Sequence, residues 1–122
     1  MIGQNNSPIE TRKAPQFPVI TFSGDKSLLQ LEIDRCETEL RKARDVDAPV
    51  VDQQKTDSTI SRIAILQTVR DSSSETIDTK IIYNRLEGDT DRRPVDRKVF
   101  MEECLNVQAF LDFLTAKIDV AY

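Results

Sequence analysis

Apolar and polar positions change their period several times along this chain, and the changes divide it into segments. Leu29, Ile33, Cys36, Leu40 and Ala43 are spaced by 4, 3, 4 and 3 residues, which puts them on one stripe of an amphipathic helix. A helix is expected over 27–45. Ser27 and Gln30 fit a capping box at its start. Glu37 and Arg41 form an i,i+4 pair of favourable orientation, and Asp45, Asp47 and Pro49 close the segment. The same spacing returns at the other end of the chain. Phe100, Cys104, Val107, Leu111, Leu114, Ile118 and Ala121 repeat at 4, 3, 4, 3, 4 and 3 and predict a helix over 94–121, with Pro94 in its first turn. Val99, Phe110 and Phe113 widen the stripe. Of the 27 residues from Val95 to Ala121, 16 are apolar. One contact face needs fewer, so this helix is expected to meet at least two partners, inside the chain or on other copies.

The middle of the chain reads differently. Residues 46–58 are polar and are expected to be a linker. Residues 59–69 and 76–86 are rich in β-branched side chains: Thr59, Ile60, Ile63, Ile65, Thr68 and Val69, then Thr76, Ile77, Thr79, Ile81 and Ile82. Their apolar positions scatter around a helical wheel, whereas Ile77, Thr79, Ile81 and Tyr83 alternate as in a strand. With the turn-like Arg70-Asp-Ser-Ser-Ser-Glu75 between them, they predict a β-hairpin over 59–86. A helical reading also has support, since Ser72 and Glu75 match a capping box and Gly88 suits a C-terminal cap.

Residues 1–23 hold three of the five prolines, Pro8, Pro15 and Pro18. Proline fixes φ and pushes its predecessor toward extended backbone, so an extended arm is expected. Its last part, Phe17–Phe22, is apolar enough to dock as a strand or to lie on a neighbour. The fold class that follows is α+β, with an arm over 1–23 and one small domain over 24–122. Two helices would cover a hairpin, to which Phe17–Phe22 could add a third strand. An all-α helical bundle is the alternative.

Composition narrows the chemistry. Among 122 residues there is no histidine, and there are two cysteines and three glycines. Imidazole catalysis, Ser-His-Asp and Cys-His nucleophiles and histidine-bearing zinc sites are excluded. Neither a GxGxxG nor a GxxxxGK[ST] loop occurs. Asp89, Asp91 and Asp96 lack the spacing of a calcium loop, and no acidic pair is set off by apolar surroundings. No enzymatic activity, cofactor or metal is expected. Cys36 and Cys104 both fall on helical seams, where a cysteine acts as a small apolar residue. Arg92, Arg93, Arg97 and Lys98 could hold an anion. Asp89, Asp91 and Asp96 are interleaved with them, and the net charge of −4 disfavours nucleic acid. No apolar run spans a bilayer, and the first residues do not read as a secretory signal.

The opening Ile2-Gly-Gln-Asn-Asn-Ser-Pro8 resembles the Ile-Gly-x-Asn-Asn-Pro-Pro opening of small proteins encoded by bacteriophages and prophages, with Ser7 where the first proline often stands. The resemblance covers seven residues of 122. It implies a genetic setting and carries over no residue roles. Two roles fit that setting. One is a structural component of a virion that forms a homo-oligomer through its helices and latches to neighbours by its arm. Its contacts would come from Phe17, Val19, Phe22, Phe100, Cys104, Val107, Leu111, Leu114 and Ile118. The other is a small acidic inhibitor or sequestering protein acting on a host defence system, using the arginine cluster. In either role the chain is expected in the host cytoplasm during synthesis, and in the first then in the virion.

Overall fold

The computed structural model describes residues 16–43, 53–89 and 94–120, the side chains at 43 and 117–120 excepted. Its elements run β1 (Val19–Thr21), α1 (Leu28–Ala43), α2 (Gln53–Asp71), β2 (Thr76–Asp78), α3 (Thr79–Glu87) and α4 (Arg97–Val120). The fold is α+β and dominated by helix.

Helix α1 follows its predicted stripe: Leu29, Ile33 and Cys36 are buried, and Leu40 packs against the core. The expected capping box does not form. The Asp25 carboxylate accepts hydrogen bonds from the Ser27 amide (2.9 Å) and hydroxyl (2.7 Å) and so arranges the first turn. The Gln30 side chain instead donates to Asp34 and accepts from Arg70. Arg41 and Lys42 lie in the last turn, where positive charge suits the helix dipole.

The predicted hairpin over 59–86 is not present. Residues 53–71 form one helix, and 79–87 form another. Residues 53–58 of the expected linker are the opening turns of α2; residues 44–52 lie outside the described set. The reason is that α2 sits at the centre, with α1 and α4 packed on it and α3 touching it. Ile60, Ser61, Ile65, Leu66 and Val69 are buried, and Thr56, Ser58, Thr59, Ile63, Ala64, Gln67 and Thr68 are half-buried. A helix covered on several sides has no narrow stripe, so its pattern imitates that of a strand. Its threonines fit by bonding backward, Thr59 to the Lys55 carbonyl at 2.9 Å and Thr68 to that of Ala64 at 2.8 Å.

Only Thr76–Asp78 of the expected second strand is extended. It pairs antiparallel with β1, Ile20 opposite Ile77, and both of these side chains enter the core. The chain then turns directly into α3. Asp78 is the N-cap, its carboxylate accepting the Lys80 amide at 3.0 Å. Thr79, Ile82, Tyr83 and Leu86, at helical spacing, face inward. The Gly88 amide closes the helix on the Asn84 carbonyl at 3.1 Å. Ser72 caps no helix; its amide ends α2 on the Thr68 carbonyl.

Phe17–Phe22, the last part of the expected arm, belongs to the folded unit. Phe22 donates its amide to the Glu75 carbonyl, and the Pro18 carbonyl accepts the Thr79 hydroxyl at 2.6 Å. Phe17 packs on Tyr83 and Phe100 at ring-centroid distances of 5.4 and 6.1 Å. Gly24 allows the chain to turn over Phe22, because a Cβ there would sit 2.7 Å from that ring. Residues 1–15 lie outside the described set.

Helix α4 starts three residues after Pro94. Asp96 caps it by accepting the Val99 amide at 3.1 Å, and the Asp96 amide donates to the buried Asp57 carboxylate at 3.2 Å. Tyr83 ties down the approach with a hydroxyl bond to the Val95 carbonyl at 3.1 Å. Phe100 is fully buried at the meeting point of Phe17 and Tyr83.

These placements set the limit of truncation. Removing residues 1–16 should leave the thermal unfolding midpoint within experimental error, because Phe17 and its contacts remain. Removing 1–22 takes away β1, Ile20 and Phe22 and should abolish the cooperative transition, as read by circular dichroism on heating.

Candidate functional site

The inner stripe of α4 is committed to the chain's own core. Phe22, Phe100, Cys104, Val107 and Leu111, all expected to meet other subunits, are buried against α2, α3 and the β-pair. Phe17 and Leu114 are half-buried against the same core. This corrects their assignment as contact residues: β1, α2 and α3 together supply the cover that one helix and a hairpin would have lacked. Val19 is exposed, at 53%. The Ile118 side chain lies outside the described residues.

What remains is the opposite side of α4. Measured around the helix at 100° per residue, Leu105, Ala109, Phe113 and Ala116 fall within a narrow band facing away from Phe100, Val107 and Leu111. Leu105 is 64% exposed and Phe113 59%; Ala109 and Ala116 are exposed between and beyond them. Their spacings of 4, 4 and 3 residues make a second apolar stripe. Asn106 and Asp112 border it and Glu102 lies on the same face before Leu105; all three are exposed.

Two polar devices fix α4 in place. Arg62 on α2 bonds Glu32 of α1 at 2.8 Å and Glu103 of α4 at 2.6 Å, and its guanidinium lies 5.3 Å from the centre of the Phe110 ring. Arg35 adds a second cation on Glu32 at 2.7 Å, and Asn106 donates to Glu103 at 3.2 Å. The Glu103 side chain is only 8% exposed, so the charge is tolerable because it is matched. The Arg35 and Arg62 guanidiniums hold the Glu32 carboxyl below the ordinary glutamate range. On the other flank, the Gln108 side-chain amide accepts the Thr21 amide at 2.9 Å and donates to the Thr21 carbonyl at 3.0 Å. Neither device was legible beforehand. Glu103 sits within an apolar stripe, Arg62 sits in a segment that imitates a strand, and Gln108 reaches across 87 positions of sequence.

The other candidates are less suited to chemistry. Burial pushes both thiols up to about 11, with the Glu32 carboxylate reinforcing this at Cys36. Both cysteines are free. Arg97 lies over the Phe17 ring, 4.9 Å from its centre, and Lys98 is exposed; Arg92 and Arg93 lie outside the described residues. A groove of about 540 Å³ runs between α1, α2 and α3, with Leu40, Ile60, Ala64 and Leu86 on its floor and Asp71, Arg85 and Asp89 on its rim. Among the described residues, no group of histidine, cysteine or acidic side chains could hold a metal ion, and no helix is long and apolar enough to cross a membrane.

Compared with family models, curated proteins and solved structures, the chain matches none.

Arg62→Met leaves the Glu103 carboxylate with the Asn106 amide alone and should cost about 1–3 kcal/mol in urea unfolding at pH 7, the penalty for stranding a largely buried polar group. Glu32 has a lowered pKa in the folded state, so its contribution is present above the unfolded value of 4.5 and is lost as pH falls through the folded value. Glu32→Gln should therefore flatten the fall in stability below about pH 4.5, measured by urea titration at stepped pH. Cys36 and Cys104 should resist alkylation by iodoacetamide at pH 8 and react when urea unfolds the chain, as counted by mass spectrometry.

Proposed function

We propose that this chain is a non-enzymatic assembly protein that associates through the outer face of α4. The observation that carries the reading is that α4 shows large apolar side chains, Leu105 and Phe113, on the side turned away from a core that α4 itself completes. Fully burying such a side chain is worth roughly 1.5–3 kcal/mol, enough for a few of them to hold two surfaces together. The bacteriophage setting, and with it a place in the virion, rests on the resemblance of Ile2–Pro8 to phage-encoded openings. In this reading an N-terminal arm would reach a neighbouring subunit; the described residues begin at the exposed Gln16.

A second reading, a small acidic inhibitor or sequestering protein of a host defence system, is favoured by the groove between α1, α2 and α3. Its apolar floor suits an apolar group of a ligand, and its rim carries both signs of charge, Arg85 beside Asp71 and Asp89.

Solution mass separates the two. Light scattering over a concentration series should give a mass that rises with concentration for the natural chain, and Leu105→Glu with Phe113→Glu should return it to that of one chain. A mass equal to one chain at every concentration would overturn the assembly reading in favour of the second.

A further inference from the structure

The outer stripe of α4 has a symmetry that names its partner, an inference that rests on the assembly reading. Leu105 and Phe113 stand four residues before and four residues after Ala109. Both are more than half exposed, whereas Ala109 between them is small. We infer that α4 pairs with α4 of a second copy, antiparallel, about a twofold axis passing at Ala109.

A twofold relation at Ala109 sets each residue level with the one equally far from it on the other side. Leu105 of each copy is then level with Phe113 of the other, and Ala109 meets Ala109. A large side chain meets a large one at both ends, and the smallest lies where the helices cross, so the axes can approach within the usual range of about 8–10 Å. The same relation makes the contact self-complementary and closed, as twofold interfaces are.

The charges fit this relation. Glu102 comes level with Ala116, and Asp112 with Asn106, so no carboxylate on this face stands level with another carboxylate. A parallel pairing in register would set Glu102 against Glu102 and Asp112 against Asp112 on a chain that already carries a net charge of −4. A heterologous partner would require no such internal match around one alanine.

Size fixes the strength. The stripe from Leu105 to Ala116 spans about 16 Å of helix at 1.5 Å per residue, less than a standard interface of roughly 800 Å² per partner needs. The inner stripe is already buried, so neither copy needs the other in order to fold. The pair is therefore reversible and dissociates on dilution.

Cysteine cross-linking of the full chain tests the geometry. With axes about 9–10 Å apart and Cα atoms about 2.3 Å from each axis, facing Cα atoms at residue 109 are about 4.4–5.4 Å apart, within the span of a disulfide. Ala109→Cys should give a disulfide-linked dimer under mild oxidation, on the order of tenfold or more faster than Asn84→Cys on the exposed side of α3, because juxtaposed thiols react at a raised effective concentration. Leu105→Cys mixed with Phe113→Cys should cross-link faster than either alone. Unchanged thermal midpoints establish that the variants fold. If the natural chain associates by light scattering but Ala109→Cys links no faster than Asn84→Cys, the twofold pairing is overturned and the assembly reading stands. If the mass stays that of one chain throughout, both fall.

Discussion

The demand of α2 for cover organises this molecule. A helix whose apolar side chains point in several directions cannot rest on one neighbour, and α2 takes α1, α4 and α3 around it. α1 and α4 each turn one apolar stripe inward, and those stripes are spent on α2 and on the elements beside it. The short β-pair closes the remaining opening by carrying Ile20 and Ile77 inward. Phe100 then finds itself where the arm, α3 and α4 converge, and its burial depends on all three arriving.

Arg62 gives this packing its register. Apolar stripes tolerate sliding, since one aliphatic contact resembles the next. A guanidinium held between Glu32 and Glu103 does not, because a shift of one turn of α4 would leave the Glu103 carboxylate almost without solvent and without its cation. The network contributes less by its net energy than by penalising the arrangements in which it is broken. The Arg35 contact and the Asn106 amide complete it, so that each buried oxygen has a donor.

How far the sequence reveals this can be argued residue by residue. α1 and α4 were legible because each packs on one side only, which leaves a stripe at Leu29, Ile33 and Cys36 and at Phe100, Cys104, Val107 and Leu111. α2 was not, because Ile60, Ile63, Ile65 and Val69 serve different neighbours and their β-branching suggests a strand. The strand at 76–78 was partly visible in Thr76 and Ile77, but the switch to helix at Asp78 is a cap that only its hydrogen bond reveals. The docking of Phe17–Phe22 was open to the sequence as one of two fates. The longest apolar repeat belongs to the core, and the shorter one through Leu105, Ala109 and Phe113 is the side left facing water.

The clamp of Gln108 on Thr21 has a consequence for how such a chain behaves in bulk. A β-strand with a bare margin invites further strands and can seed open-ended stacking. Here one margin of the β-pair is stoppered by the Gln108 amide, and on the other the Ser74 hydroxyl bonds both the amide and the carbonyl of Thr76. The two strands are also only three residues long. Both margins are thus occupied at Thr21 and Thr76, which leaves little free edge onto which a further strand could pair.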